Sequence, residues 1–161
     1  MYTFFRTMVC AVLCMASLSA YAAAATPKVA LQLSDALITV SDGKTVAGPV
    51  DRPVKSGDIL RYTIVAKNVG SAPAYQLAPI GKIPERMVFV RVLSAPSGAM
   101  TTYTLDCKTW SAHPTITVKD KDGKSVTKPA PPDSYRAVRW VLTHPLADKS
   151  SDAFVYEVRV K

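Results

Sequence analysis

The sequence predicts an all-β fold, a single immunoglobulin-like antiparallel β-sandwich. Apolar and polar residues alternate with a period of two over most of the chain, as strands with one wet face require. Beyond the N-terminal region no segment carries the sustained i, i+3, i+4, i+7 apolar stripe of an amphipathic helix, and 12 prolines among 161 residues oppose helices further. Turn signals recur every ten residues or so, which leaves room for about eight or nine short strands in two sheets.

The first residues read as an export signal. Arg6 supplies a positive start, Met8 to Leu18 an apolar core broken only by Ser17, and Ala20-Tyr21-Ala22-Ala23-Ala24-Ala25 the small residues that suit a signal peptidase. The apolar run is shorter than the roughly 20 residues of a spanning helix. A cleaved peptide over residues 1–25 is therefore expected, followed by one domain over 26–161, with no transmembrane segment after cleavage. Cys10 and Cys14 lack the small residue that precedes a lipidated cysteine, and both leave with the signal. Cys107 then remains alone, so an internal disulfide is excluded and the core has to hold the domain together. Of the roles open to this thiol, namely a buried small hydrophobe, an intermolecular bridge or a reactive group, the first is expected.

The formal net charge is +8, and loss of Arg6 lowers it by one. Arg61, Lys67, Arg91, Arg139 and Arg159 are spread along alternating segments, which fits solvated strand faces and not a nucleic-acid footprint. The expected location is the periplasm, the cell surface or the extracellular space. The expected partner is an envelope protein, a polysaccharide or a second copy of the chain.

The first strand is expected to carry Leu31 and Leu33 and, after a shift near Ser34-Asp35, Leu37 and Ile38, with Asp42-Gly43 as a two-residue hairpin turn. Ser56-Gly57-Asp58 leads into the clearest strand, where Leu60, Tyr62, Ile64 and Ala66 share one face and Arg61, Thr63, Val65 and Lys67 the other. Asn68-Val69-Gly70 turns the chain, Tyr75 and Leu77 continue the sheet, and the Ile83-Pro84 corner precedes Met87 to Leu93. Met100 to Leu105 follows. Thr115 to Lys119 and Ser125 to Thr127 then flank Asp120-Lys121-Asp122-Gly123, a hairpin with a left-handed glycine. Pro129 to Pro132 forms a stiff spacer. Tyr135 to Thr143 and Ala153 to Val160 close the fold, with Trp140, Phe154, Tyr156 and Val158 on inward faces.

The string Val54-Lys55-Ser56-Gly57-Asp58-Ile59-Leu60-Arg61-Tyr62-Thr63-Ile64-Val65-Ala66-Lys67-Asn68-Val69-Gly70-Ser71-Ala72 resembles the opening of the conserved repeat domain of bacterial and archaeal surface proteins, the domain of unknown function numbered eleven. Val138 to Leu142, Leu146 and Phe154 to Val160 resemble its closing part, while Ser97 to Ser134 matches poorly. The resemblance implies a sandwich that displays, spaces or anchors things outside the cytoplasm, with no catalytic residues to carry over. Two features depart from the family. Gly81-Lys82 stand where members often place an acidic residue ahead of the Leu/Ile-Pro corner, and one copy is present where arrays are usual.

The candidate chemistry is sparse. Cys107, His113, His144 and Met100 or Met87 are residue types that suit an exported copper site, and a periplasmic metal or small-ligand carrier using Cys107 and His113 is the alternative function. Their spacing follows no ligand motif, and both histidines precede prolines, which places them in exposed loops. Cys107 lacks the helix N-terminus and orienting Asn or Asp of a cysteine nucleophile. The phosphate-binding and zinc-binding motifs are absent from the sequence. The expectation is a non-enzymatic structural, adhesion or assembly module without a cofactor, with Trp110 in the poorly matched middle as the candidate ligand contact.

Overall fold

One short turn sequence and one long register organise the first sheet. The computed structural model describes residues 25–161, so the expected signal peptide lies outside them apart from Ala25. Strand β1 (Val29–Ser41) returns as β2 (Lys44–Gly48) through Asp42 and Gly43, both at positive φ, 51° and 74°, as a tight primed hairpin turn requires. The N-terminal part of β1 pairs in unbroken antiparallel register with β3 (Ile59–Asn68), from Val29 opposite Asn68 to Ile38 opposite Ile59. β3 pairs next with the C-terminal strand β10 (Ser151–Val160), and β10 with β5 (Met87–Ser94). The resulting order is β2-β1-β3-β10-β5.

A second, three-stranded sheet has the order β4-β9-β6, from β4 (Ile80–Lys82), β9 (Ala137–Val141) and β6 (Met100–Thr104). β7 (Thr115–Lys119) and β8 (Ser125–Pro129) form a separate hairpin, turned at Gly123 with φ 77°. The expected proline spacer is shorter than read: Pro129 ends β8, and a single 3-10 turn over Pro132–Ser134 begins at its last residue. The chain is all-β with antiparallel sheets, and no helix among the described residues is long and apolar enough to cross a membrane.

The core lies between the two sheets. β3 contributes Leu60, Ile64 and Ala66, β10 contributes Phe154, Tyr156 and Val158, and β9 contributes Val138 and Trp140 from the opposite side, all buried. Trp140 packs at 5.4 Å from Phe154 and 5.8 Å from Tyr156, ring centroid to ring centroid, within the range of favourable aromatic pairs. Burial pushes the Tyr156 phenol well above its usual range, and its hydroxyl donates to the Lys82 carbonyl at 2.9 Å. That bond ties the five-stranded sheet to β4. Gly81 lies where the ring passes: a Cβ there would stand 2.6 Å from a Tyr156 ring carbon.

Several expectations needed correction. Tyr75 and Leu77 lie outside the strands, because the chain from Ala74 is tied to the segment of β9 and beyond only by the Ala74–Leu146 bridge and the carbonyls of Leu77 and Pro79 before β4 begins, and Tyr75 is exposed. Arg61 and Arg91 are not simply solvated. Both face the buried carboxylate of Glu157 across neighbouring strands, at 2.9 Å each, because the register sets Arg61 and Arg91 directly opposite Glu157 on its two sides. Tyr62 meets the core only at its rim, half-buried and stacked 5.4 Å from Tyr156.

The loop before β3 is held by Asp58, whose carboxylate receives both terminal nitrogens of Arg52, at 2.8 and 3.1 Å, and the Lys55 N–H at 2.8 Å. The Arg52 guanidinium, then the Lys55 amide, hold the Asp58 pKa down at about 2 against an ordinary 3.8. A carboxylate with a depressed folded pKa stabilises the fold above its unfolded value and loses that contribution as pH falls through the folded one. NMR titration of Asp58 should therefore give a midpoint near 2, and Arg52→Ala should return it toward 3.8. A midpoint unmoved by that substitution would exclude the ion pair as the cause.

Truncation separates core from rim. Trp140→Ala is expected to cost about 3 to 5 kcal/mol in urea melts, as other buried aromatic deletions do. Tyr62→Ala, at a half-exposed position, should cost only about 1 to 2 kcal/mol. Equal losses would place both rings in the same environment and contradict the packing.

Candidate functional site

Two of the candidate residues, Cys107 and Trp110, lie over the outer face of the three-stranded sheet. Along β9, Val138 and Trp140 point into the core, so Ala137 and Arg139 point out. Arg139 stands opposite Ile80 of β4 and Thr102 of β6. Ala137 faces outward yet is buried, because the segment between β6 and β7 folds back over this face and bridges to it, Tyr103 and Ser111 exchanging N–H···O bonds of 2.8 and 3.0 Å.

Asp106 holds that segment in shape. Its carboxylate accepts the N–H groups of Lys108 and Thr109, each at 2.8 Å, and the hydroxyls of Thr104 and Thr109 at 3.0 Å. The Thr109 amide first, then the Lys108 amide, hold the carboxyl far below the usual range. The turn places Cys107 at φ 61°, an uncommon left-handed conformation for a residue with a side chain, and carries Trp110 over the sheet. There the Arg139 guanidinium lies 4.5 Å from the Trp110 ring centroid, and its Nε donates to the Thr102 hydroxyl at 3.3 Å.

Between this segment and β4 lies an open concavity of about 410 Å³. Ile80, Ile83, Ala137 and Trp110 give it apolar walls, Lys82 and Arg136 line it with cations, and Glu85 and Cys107 complete it. Cys107 is exposed, contrary to the buried role expected of it, because the left-handed turn directs it outward from the sheet. Trp110 is half-buried beneath its contact with Arg139.

The remaining candidates do not join them. His113 lines a smaller neighbouring concavity of about 210 Å³ with Tyr103, Thr109 and Pro114. His144 is exposed in the turn after β9, and Met100 is exposed at the start of β6. Met87 is engaged by the Tyr62 hydroxyl, 3.9 Å from its sulfur. Among the described residues no three His, Cys, Asp or Glu side chains come together as a metal-binding group. Sequence reasoning missed Asp106, and the signal was legible: an Asp with a Thr three residues on, the spacing at which its carboxylate caps the amides of an Asx-type turn.

A second concave feature lies on the other side of β4. β2 pairs only with Leu37 to Ser41, so among the described residues no strand lies beside the outer edge of β1 from Val29 to Ala36. β4 is likewise an edge of its own sheet. Between the two edges runs a groove of about 350 Å³, floored by Tyr62, Ile64 and Tyr156 and walled by Leu31, Leu33 and Ile80. Leu31 and Leu33 share a face with the buried Ala66 and Ile64 yet are 59% and 62% exposed, because the shorter second sheet does not reach them.

Compared with known proteins, the chain matches no family model, no curated protein and no solved structure.

The role assigned to Asp106 is open to measurement. Asp106→Ala should leave the melting of the core nearly unchanged while backbone order parameters over residues 105–112 fall below about 0.6, the flexible range. Unchanged order parameters would mean that other contacts shape the segment.

Proposed function

We propose that the chain is exported and works without enzymatic activity, as an immunoglobulin-like module of the cell envelope or secreted space in a structural, adhesion or assembly role. The observation that carries this reading is the apolar groove between the open edges of β1 and β4. An unpaired strand edge offers backbone donors and acceptors to another chain, and exposed apolar side chains beside it supply pockets for alternate residues of an added strand. Natural domains usually blunt such edges with charge or proline. Here the edge carries Leu31 and Leu33 with a single acid, Asp35, toward its end.

The signal-like N-terminus and the likeness of Val54 to Ala72 and Val138 to Val160 to the conserved repeat domain support the same reading. The partner of the groove is an extended segment of another envelope protein. Self-association by lending β1 to a neighbour is disfavoured, since that strand is in full register with β3 of its own sheet. The alternative of a metal or small-ligand carrier through Cys107 and His113 has less support, because the two residues line different concavities.

Site-specific photo-cross-linking in the native host tests the proposal. A cross-linker at Leu33 or Ile80 should capture one defined partner, and a cross-linker at Val90 on the opposite edge of the five-stranded sheet should not. Capture of the same species from both edges, or no capture from the groove, would exclude strand addition. Turnover of glycosidic, ester or peptide substrates that is abolished by Cys107→Ser or His113→Ala would overturn the non-enzymatic reading.

A further inference from the structure

The geometry points to a binding site for a carboxylated saccharide in the concavity beneath Trp110, separate from the groove. Its walls combine an aromatic ring, aliphatic Ile80 and Ile83, and cations, which is the composition of a site for a ligand with an apolar ring face and an anionic substituent. Arg139 alone does not explain the cations. Lys82 and Arg136 line the concavity, and neither takes part in a salt bridge among the described residues, where the ion pairs are Arg52–Asp58, Arg61–Glu157 and Arg91–Glu157. Unpaired lysine and arginine side chains at a concave apolar surface are available for charge-assisted bonds to a carboxylate.

Trp110 is held in place for the task. Arg139 supports its ring, the Thr102 hydroxyl fixes Arg139, and the Asp106 turn fixes the backbone that carries the indole. A ligand therefore meets an aromatic ring that is already held by these contacts, which lowers the entropic cost of binding. The concavity is open to solvent, which suits one unit of a longer chain better than a fully enclosed small molecule. Glu85 is the one carboxylate in the lining, and it opposes an anionic ligand. This gives the site a signature of opposite signs: neutralising Glu85 should strengthen binding while neutralising Arg136 or Lys82 should weaken it.

Tryptophan fluorescence reads the site, because the chain has two tryptophans and the other, Trp140, is fully buried in the core. Residues 26–161 are titrated with short oligogalacturonate, with the neutral galactose oligomer of the same length, and with 4-hydroxybenzoate. The expected result is a saturable change with oligogalacturonate at or below about 1 mM, lost in Trp110→Phe and weakened by added salt. Arg136→Gln should weaken binding about tenfold, as the loss of one charge-assisted hydrogen bond does. Glu85→Gln, an exposed substitution that leaves folding intact, should tighten it, and His144→Ala should leave it unchanged. Calorimetry on Glu85→Gln supplies the same reading without the fluorophore. Equal binding of the neutral oligomer, tighter binding of 4-hydroxybenzoate, a signal that persists in Trp110→Phe, or no tightening in Glu85→Gln would each overturn the assignment.

Discussion

The contact between Tyr156 and β4 is the constraint on which the rest of the molecule depends. Tyr156 stacks on Tyr62, touches Trp140, and donates its hydroxyl to the Lys82 carbonyl from a position only 2% exposed. One side chain of the five-stranded sheet thereby fixes a backbone atom of the other sheet. A buried hydroxyl bonded in this way contributes about 1 kcal/mol, and the carbonyl it satisfies would cost more if left unpaired. Gly81 allows the approach, so an acidic or larger residue at that step would push β4 off the ring.

The opposite face of the larger sheet is organised by charge. Glu157 lies between Arg61 and Arg91 on the middle strand of three, and the two guanidinium groups cover it so fully that its carboxylate is buried on a nominally wet face. Arg91 remains 60% exposed at its side chain, so water screens that partner and the pairing is worth far less than a fully buried triad would suggest. Its main consequence is register. A one-residue slip of β10 against either neighbour would leave the acid facing the wrong residues, and the hydrophobic set of β10 facing water.

Much of the fold was legible because it rests on local rules. Alternation in Leu60 to Ala66 and Phe154 to Val158 located the core faces, and Asp42-Gly43 and Gly123 located turns through backbone conformations that glycine favours. What could not be read depends on distances along the chain that no window spans. Leu31 and Leu33 alternate as core residues do, and their exposure follows from the length of a sheet built from residues 80–82, 100–104 and 137–141. Arg61, Arg91 and Glu157 each look solvated alone and become a cluster only when the register is known. Of the candidate site, Trp110 and Cys107 were singled out from the sequence, but Ile80, Lys82 and Arg136 entered only when β4 and β9 came together beneath them.

The three residues of β4 also connect the two concave surfaces. Ile80 and Lys82 line both the groove shared with β1 and the concavity beneath Trp110, one on each side of the same short strand. β4 is held on one edge by β9, through Ile80 opposite Arg139 and Lys82 opposite Ala137, and from below by Tyr156. Its free edge is the only one of its two edges on which a further strand can be laid. A chain added there would extend the sheet to which Arg139 belongs, and Arg139 is the residue that supports Trp110. The aromatic wall and the open edge are thus joined through one backbone pairing, so any displacement of β4 large enough to change the groove also changes the spacing of Ile80 and Lys82 from Trp110. On the β4 side, both surfaces are held by the same tyrosine at a step that Gly81 keeps open.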